Sequence, residues 1–236
     1  ILMLKPPALI GFLLITAAIS RLDRHQSRWN ATSMVWVCAG ISPGLAWHVW
    51  HLFQRGSSAL VMWGGQGFSR VAGVVGDSTG AFIMPITEVL EGGWPWLLLL
   101  PLGIRLAWQQ RGDSAGRWQL GLLLGSAALV LPLRSQLPWY SHLLWPAIAL
   151  LCAEGLHHVL VSGRPRWICK IWLLIGAALL LASLIIFLSS QSIAVPRLAV
   201  VCAGSGLLLG GQQLIQATQQ QRWRGLITLL IGWGSA

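Results

Sequence analysis

The stretch ICKIWLLIGAALLLASLIIFLSS, residues 168–190, contains a single charged residue, Lys170. A helix needs roughly 20 mostly apolar residues to cross the hydrocarbon core of a bilayer, because that core is about 30 Å thick and a helix rises about 1.5 Å per residue. The apolar residues here form a continuous run, whereas the strands of a membrane barrel alternate apolar and polar residues. The stretch therefore predicts a transmembrane α-helix.

The rest of the chain follows the same pattern. Hydrophobic residues make up 55% of the 236 residues and charged residues 9%, with a mean hydropathy of +0.68. A soluble domain carries roughly a quarter charged residues, so this chain has too little polar surface for a water-soluble globule. We predict an all-α, polytopic transmembrane helix bundle that forms a single domain over residues 1–236. Its spans would be about eight: 4–20, 31–53, 94–110, 118–134, 142–161, 168–190, 198–216 and 226–236.

The positive charge of the chain, +10, is distributed over the loops. The basic residues come in twos and threes between apolar segments and match no nucleic-acid-binding module, so we expect no nucleic-acid partner. Nine arginines fall in one alternating set of loops: Arg21, Arg24, Arg28, Arg111, Arg117, Arg164, Arg166, Arg222 and Arg224. Only four fall in the other set: Arg55, Arg70, Arg134 and Arg197. The positive-inside rule places the first set in the cytoplasm and predicts a multi-pass protein of the plasma (inner) membrane. Residues 54–93, 134–141 and 191–197 then face outward.

The outer segment 54–93 is far longer than a simple connection requires, and it is too apolar to be disordered. Its apolar residues recur at roughly helical spacing around Arg70, which predicts a short helix lying in the membrane interface. These residues are Leu60, Val61, Phe68, Val71 and Val75. The segment also carries Asp77, Glu88 and Glu91, half of the acidic residues of the chain. It could be a lid that faces a substrate or a solvated cap over the helices.

No metal site is indicated by the sequence. The four cysteines include no CxxC pair and are typical of small buried hydrophobic residues. His48 and His51 have no third ligand nearby in sequence. No residue pattern points to a particular cofactor, so we assign none.

Polar groups gather in RSQLPWYSHLLWP, residues 134–146, which lies between two apolar runs and contains Tyr140, the only tyrosine. Together with GQGFSRVAG…GAFIMPITEVLEGGWPWLLLLP, residues 65–101, this stretch resembles the polytopic lipid-linked-sugar glycosyltransferases related to the aminoarabinose transferase of lipid A and the protein O-mannosyltransferases. The shared features of the longer stretch are an arginine after an aromatic residue and a Trp-Pro-Trp at a helix start: Phe68, Arg70, Trp94, Pro95 and Trp96. The shorter one shares a Leu-Pro-x-Tyr turn before an alanine-leucine helix, here Leu137–Tyr140 and Pro146–Leu150. The chain departs from the family at Gln136, where a lysine is usual, and at Leu143, where the first proline is usual.

The resemblance implies transfer of a sugar from a polyprenyl-phosphate donor to a lipid or protein acceptor at the outer face, among membrane lipids. Inversion at the sugar needs a base for the acceptor and stabilisation of the leaving phosphate. The family's base is an acidic residue of the first outer loop, so the resemblance implies that it lies upstream of residue 1. We therefore expect a fragment that is inactive alone and carries no catalytic residue of its own. Its substrate-binding residues would be Arg70, Arg134, Tyr140, Glu88 and His142.

Two other classes remain open at this point. A polytopic transporter usually places charges in mid-span, whereas the charges here cluster at span ends. Another lipid-linked-sugar enzyme, such as an O-antigen ligase or polymerase, would also have an arginine-bearing outer loop.

Overall fold

The computed structural model describes residues 6–23, 31–58, 61, 83–132, 138–188, 197–216 and 218–235. All regular structure within these ranges is helical, so the predicted all-α class is confirmed there. The α-helices are α1 (Pro6–Leu22), α2 (Ala31–Arg55), α3 (Met84–Gly92), α4 (Leu100–Gln109), α5 (Ser114–Val130), α6 (Trp145–Ser162), α7 (Arg166–Leu188), α8 (Arg197–Ile215) and α9 (Gln219–Gly234). Two 3-10 helices accompany them, η1 (Trp96–Leu99) and η2 (Pro138–Leu143).

The chain folds into two compact units. The first comprises Ile1–Trp94 and Ile104–Leu151, and the second comprises Pro95–Gly103 and Cys152–Ala236. Each is described by itself below.

In the first unit, α1 packs against α5. Two glycines of α5, Gly121 and Gly125, lie under the side chains of Ile19 and Ile15, so that a Cβ atom on either glycine would be 2.7 Å from an isoleucine carbon. Ile15 and Ile19 are both buried. The Gly121–Gly125 spacing therefore lets two helices approach closely, as GxxxG spacings do in membranes.

In the second unit, α8 is packed between α7 and α9. A Cβ on Gly206 of α8 would lie 2.7 Å from the Cα of Gly232 in α9, and one on Gly176 of α7 would lie 2.5 Å from the backbone nitrogen of Leu208. These contacts join backbone to backbone. Small residues permit such an approach, and close van der Waals packing is what holds helices together where lipid removes the hydrophobic driving force.

A tryptophan holds η1 in the second unit. Trp172 of α7 is fully buried, and its Nε1 donates a hydrogen bond of 3.0 Å to the carbonyl oxygen of Pro95. Its ring meets that of Trp96 edge-on, with centroids 6.2 Å apart. Burying the indole N–H without a partner would be costly, so this bond fixes where η1 begins.

The predicted number of spans is wrong for the described residues. Three helices there are long and apolar enough to cross a membrane, α6, α7 and α8, rather than eight. Stretches 142–161, 168–190 and 198–216 thus correspond to helices of 18, 23 and 19 residues. The protein is accordingly a membrane protein by the length and composition of these three helices.

The other five stretches do not qualify as spans within the described residues, for two reasons. Four of them fall on shorter described helices: the α-helices α1, α5 and α9 have 17, 17 and 16 residues, and 94–110 is split into η1 and the ten-residue α4. Helix α2 has 25 residues, but it carries His48, His51, Gln54 and Arg55 in its second half.

Candidate functional site

Two of the elements that the sequence places on the outer side are in contact in the first unit. Helix α3 packs against η2, the 3-10 helix that contains Tyr140. Next to η2, the ring of Trp145 covers the end of α3, because a Cβ on Gly92 would lie 3.3 Å from its Cζ2 atom. The contact joins the last part of the long segment 54–93 to the polar interruption at 134–146.

Helix α3 has two faces that differ in exposure. It begins with a proline near its first position, Pro85, whose missing N–H is tolerated at a helix start. Pro85 and Val89 are buried one turn apart and form the packed face. The opposite face is an exposed apolar stripe at the spacing i, i+3 and i+7, formed by Ile83, Ile86 and Leu90; Trp94, just after the helix, is also exposed. An exposed apolar stripe on a short helix is typical of a helix that lies in the membrane interface.

The acidic residues of α3 lie between these two faces. Glu88 is half-buried beside the packed face, and Glu91 is exposed. The carboxylates of α3 therefore belong to a helix that packs against η2 and also carries an exposed apolar stripe. A site with this arrangement can accept hydrogen bonds from hydroxyl groups of a molecule that also has an apolar part.

The polar residues of η2 occupy three different environments. Ser141 is buried, Tyr140 is half-buried and His142 is exposed. The carbonyl of Ser141 accepts from the backbone N–H of Leu144 at 2.8 Å, and that of Leu144 accepts from Ile148 at 3.0 Å. Because these bonds lead η2 directly into α6, the phenol of Tyr140 and the imidazole of His142 sit on a rigid helix start.

The structure thus brings together three of the five predicted substrate-binding residues on two contacting elements: Glu88, Tyr140 and His142. Arg70 and Arg134 lie outside the described residues. The predicted interfacial helix around Arg70 lies there as well, apart from Val61, which is helical. Within the described residues, the helix with an exposed apolar stripe is α3, which begins 14 residues after Arg70.

A network that sequence reasoning missed surrounds Asp23, directly after α1. Its side chain is 1% exposed. One carboxylate oxygen accepts from Arg117 Nη2 at 2.7 Å, and the other accepts from Ser114 Oγ and from Trp118 Nε1 at 3.1 Å. The hydrogen bonds from Ser114 and Arg117 lower the pKa of Asp23 from 3.8 to about 2, although burial opposes the change. This network ties the end of α1 to the start of α5.

A second missed cluster is centred on Arg222 of α9, which is 7% exposed. Its Nε donates to the carbonyl of Leu160 at 2.6 Å and its Nη2 to that of Val161 at 2.9 Å. Both carbonyls belong to the last turn of α6, where helix carbonyls lack partners within the helix. The guanidinium satisfies them and carries the positive charge that the negative end of a helix favours.

Each cluster joins two connections between helices within its own unit. Asp23 and Arg117 join two of them in the first unit, and Arg222 joins another two in the second unit. In the sequence, each cluster is indicated only by a charged residue directly beside an apolar helix. Arg117 is 94 residues from Asp23, and Leu160 is 62 residues from Arg222. Such pairing cannot be derived from spacing.

No group of three His, Cys, Asp or Glu side chains that could hold a metal occurs in the described part of the chain. Comparison with protein-family models, with curated proteins and with solved structures found no match to this chain. The arrangement of α3 and η2 is therefore interpreted from its own chemistry. It offers carboxylates, a phenol and an imidazole beside an exposed apolar stripe.

Proposed function

We propose that this chain is part of a membrane glycosyltransferase that moves a sugar from a polyprenyl-phosphate donor to a lipid or protein acceptor at the outer face of the inner membrane. The observation that supports the proposal best is the packing of α3 against η2. Glu88 belongs to one of these elements and Tyr140 and His142 to the other, and α3 also carries an exposed apolar stripe. A lipid-linked sugar has the matching parts, namely an isoprenoid chain, a phosphate and sugar hydroxyls.

Each polar group has a role in this proposal. The hydroxyl of Tyr140 and an imidazole N–H of His142 donate hydrogen bonds to the phosphate, and Glu88 accepts from a sugar hydroxyl. Arg70 and Arg134 supply the positive charge, because a guanidinium donates paired hydrogen bonds to a phosphate. The isoprenoid lies along the stripe of α3.

Photo-crosslinking tests the proposal directly. The full-length protein in vesicles is exposed to a polyprenyl phosphate that carries a benzophenone, and the crosslinked peptides are mapped by mass spectrometry. We expect crosslinks at 83–94 and 138–145, and competition by unlabelled polyprenyl phosphate. A polyprenol probe without phosphate provides the control, and equal labelling by both probes would contradict a phosphate site.

Two variants assign the phosphate contacts. A hydrogen bond to a charged group contributes about 1.5–3 kcal/mol, so Tyr140→Phe should weaken competition by polyprenyl phosphate about tenfold. His142→Gln is compared with His157→Gln, because both histidines are exposed on or beside α6 but His157 lies 15 residues further along the chain. Equal effects of the two histidine variants would remove His142 from the site.

The same preparation separates this function from the alternatives. A transfer assay with a radiolabelled polyprenyl-phosphate sugar detects the enzyme, and uptake of free sugar into the vesicles detects a transporter. We expect sugar transfer to fall sharply in Arg70→Ala. The control variant Arg55→Ala, which removes the other arginine of segment 54–93, should keep most of the transfer. Uptake without transfer would favour the transporter.

A further inference from the structure

All three candidate spans have an end at the same place in the second unit. Helix α6 ends at Ser162 and α7 begins at Arg166, while α8 ends at Ile215 and α9 begins at Gln219. Arg222 holds these ends together, because its guanidinium bonds to carbonyls of α6 and, at 3.4 Å, to the carbonyl of Gln216. Each of the two connections has only three residues, so neither can extend far from the ends of the spans.

The charge at this end is positive throughout. Glu154 is the last acidic residue of the sequence, and every charged residue of 155–236 is basic. The guanidinium of Arg222 is buried against helix carbonyls. Four other basic side chains near the turns are exposed, together with two tryptophans. These six residues form what we call the basic rim: Arg164, Arg166, Trp167, Lys170, Trp223 and Arg224.

We propose that the basic rim is a binding surface for the headgroups of anionic phospholipids in the leaflet that it faces. Basic side chains beside a span are attracted to anionic lipid over a distance of about a Debye length. The two turns are short, so the rim lies within that distance of any bilayer that α6, α7 and α8 cross.

The tryptophans favour a lipid surface over a soluble acidic partner. Trp167 and Trp223 are each nearly half exposed, at 48% and 45%. An indole prefers the headgroup layer, where its ring is in an apolar region and its N–H can reach water. Lys170 lies one turn inside α7 from Arg166 and can direct its ammonium back toward the headgroups. A surface with aromatic rings at the same level as its charges matches a lipid interface.

Lipid selectivity measured by electron paramagnetic resonance tests this surface. The full chain is reconstituted in phosphatidylcholine vesicles with a trace of spin-labelled phosphatidylglycerol or spin-labelled phosphatidylcholine. The protein-associated fraction of each label gives the preference for the anionic lipid. We expect a preference for phosphatidylglycerol that falls as salt increases, and that falls about fivefold or more in Arg164→Gln/Arg166→Gln, since one basic residue at the surface accounts for about a fivefold change.

The matched control is Arg55→Gln/Arg197→Gln, which removes two exposed arginines outside the basic rim. It should keep most of the wild-type preference. An equal loss in both double variants would show that net charge alone decides the preference and would overturn the proposal. An unchanged preference in Arg164→Gln/Arg166→Gln would also overturn it.

A third variant protects the result against misfolding. Arg224→Gln removes a single exposed charge of the basic rim, and its helical content is checked by circular dichroism. We expect a smaller loss of preference with unchanged helicity, and no loss would contradict a role for α9 in the surface. Neither outcome depends on sugar transfer, so the basic rim and the proposed function are tested separately.

Discussion

In both units of the chain, helices are joined around a buried charged residue, but the partners of that residue differ in their chemistry. In the first unit the buried charge is Asp23, which is neutralised by a side chain, Arg117, and held by two further side-chain donors. In the second unit the buried charge is Arg222, and its described partners are backbone carbonyls. The second unit has no acidic residue beyond Glu154, so helix ends take the place of a carboxylate.

Helix packing differs between the units in a parallel way. The α1–α5 contact places glycines under isoleucine side chains, so an added methyl group meets side-chain carbons that must shift by repacking. The α8–α9 contact places glycine against glycine, where an added methyl group meets backbone. The comparison teaches that glycine spacing alone does not give the cost of substitution. What matters is whether the neighbouring atoms can move.

The largest effect is expected at the backbone contact of the second unit. A Cβ on Gly232 would collide with the Cα of Gly206 and would lie 2.8 Å from the carbonyl oxygen of Cys202. Gly232→Ala should lower the free energy of unfolding by about 3 kcal/mol, because α8 and α9 must separate. Unfolding in mixed detergent micelles measures this difference.

Two control glycines complete that comparison. Gly125→Ala in the first unit should cost less, about 2 kcal/mol, because the side chain of Ile15 rather than backbone must shift. Gly234→Ala, which lies in the same helix as Gly232, has nothing within 4 Å of its added Cβ and should change stability little. Equal costs at Gly232 and Gly125 would remove the distinction between the two kinds of contact.

The next effect concerns the carboxylate of the first unit. Because the pKa of Asp23 is lowered from 3.8 to about 2, the folded state favours the ionised form. This stabilisation is complete above the ordinary pKa and is lost as the pH falls from about 4 through about 2. Asp23→Asn should be less stable than the wild type at pH 7 and should lack the wild-type loss of stability in that acid range.

Glu91→Gln provides the control for the acid titration, since Glu91 is exposed. Its unfolding between pH 4 and pH 2 should follow the wild type. A wild-type curve that stays flat across this range would contradict the role of Asp23, and circular dichroism at each pH would detect it.

The smallest effect is expected for Arg222→Lys. An ammonium keeps the charge but cannot form the two-armed contact with Leu160 and Val161, so we expect a loss of about 1.5 kcal/mol in the free energy of unfolding. Arg224→Lys, on the exposed side of the same helix, should be neutral. If Arg222→Lys leaves the free energy of unfolding unchanged, the positive charge alone, rather than the paired guanidinium donors, stabilises the end of α6. The same detergent titration measures both variants.

Much of the second unit could be predicted from sequence. The stretch 168–190 corresponds to α7 within two residues at each end, and 198–216 corresponds to α8 within one. Long, uninterrupted apolar runs carry this signal. Prediction from hydropathy failed where one apolar run contains two elements. At 94–110, η1 precedes α4, and the two together are too short to span a membrane.

The candidate site could be predicted only in outline. Alternation of loop charge grouped Glu88, Tyr140 and His142 on one side, and α3 and η2 are indeed in contact. The sequence does not single out the apolar stripe of α3, because the helical spacing around Arg70 predicts the interfacial helix there instead. Asp23 was missed because its partners, Ser114 to Trp118, are distant in sequence and follow no local pattern.

The position of α8 between two glycine contacts has a consequence for biosynthesis. Gly204 and Gly211 face α7, whereas Gly206 and Gly210 face α9, so each neighbour approaches the backbone of α8 at two glycines. A nascent chain that stops before α9 would leave Gly206 and Gly210 without the backbone of α9 that packs against them. Close packing of α8 on both sides therefore has to wait for the synthesis of α9.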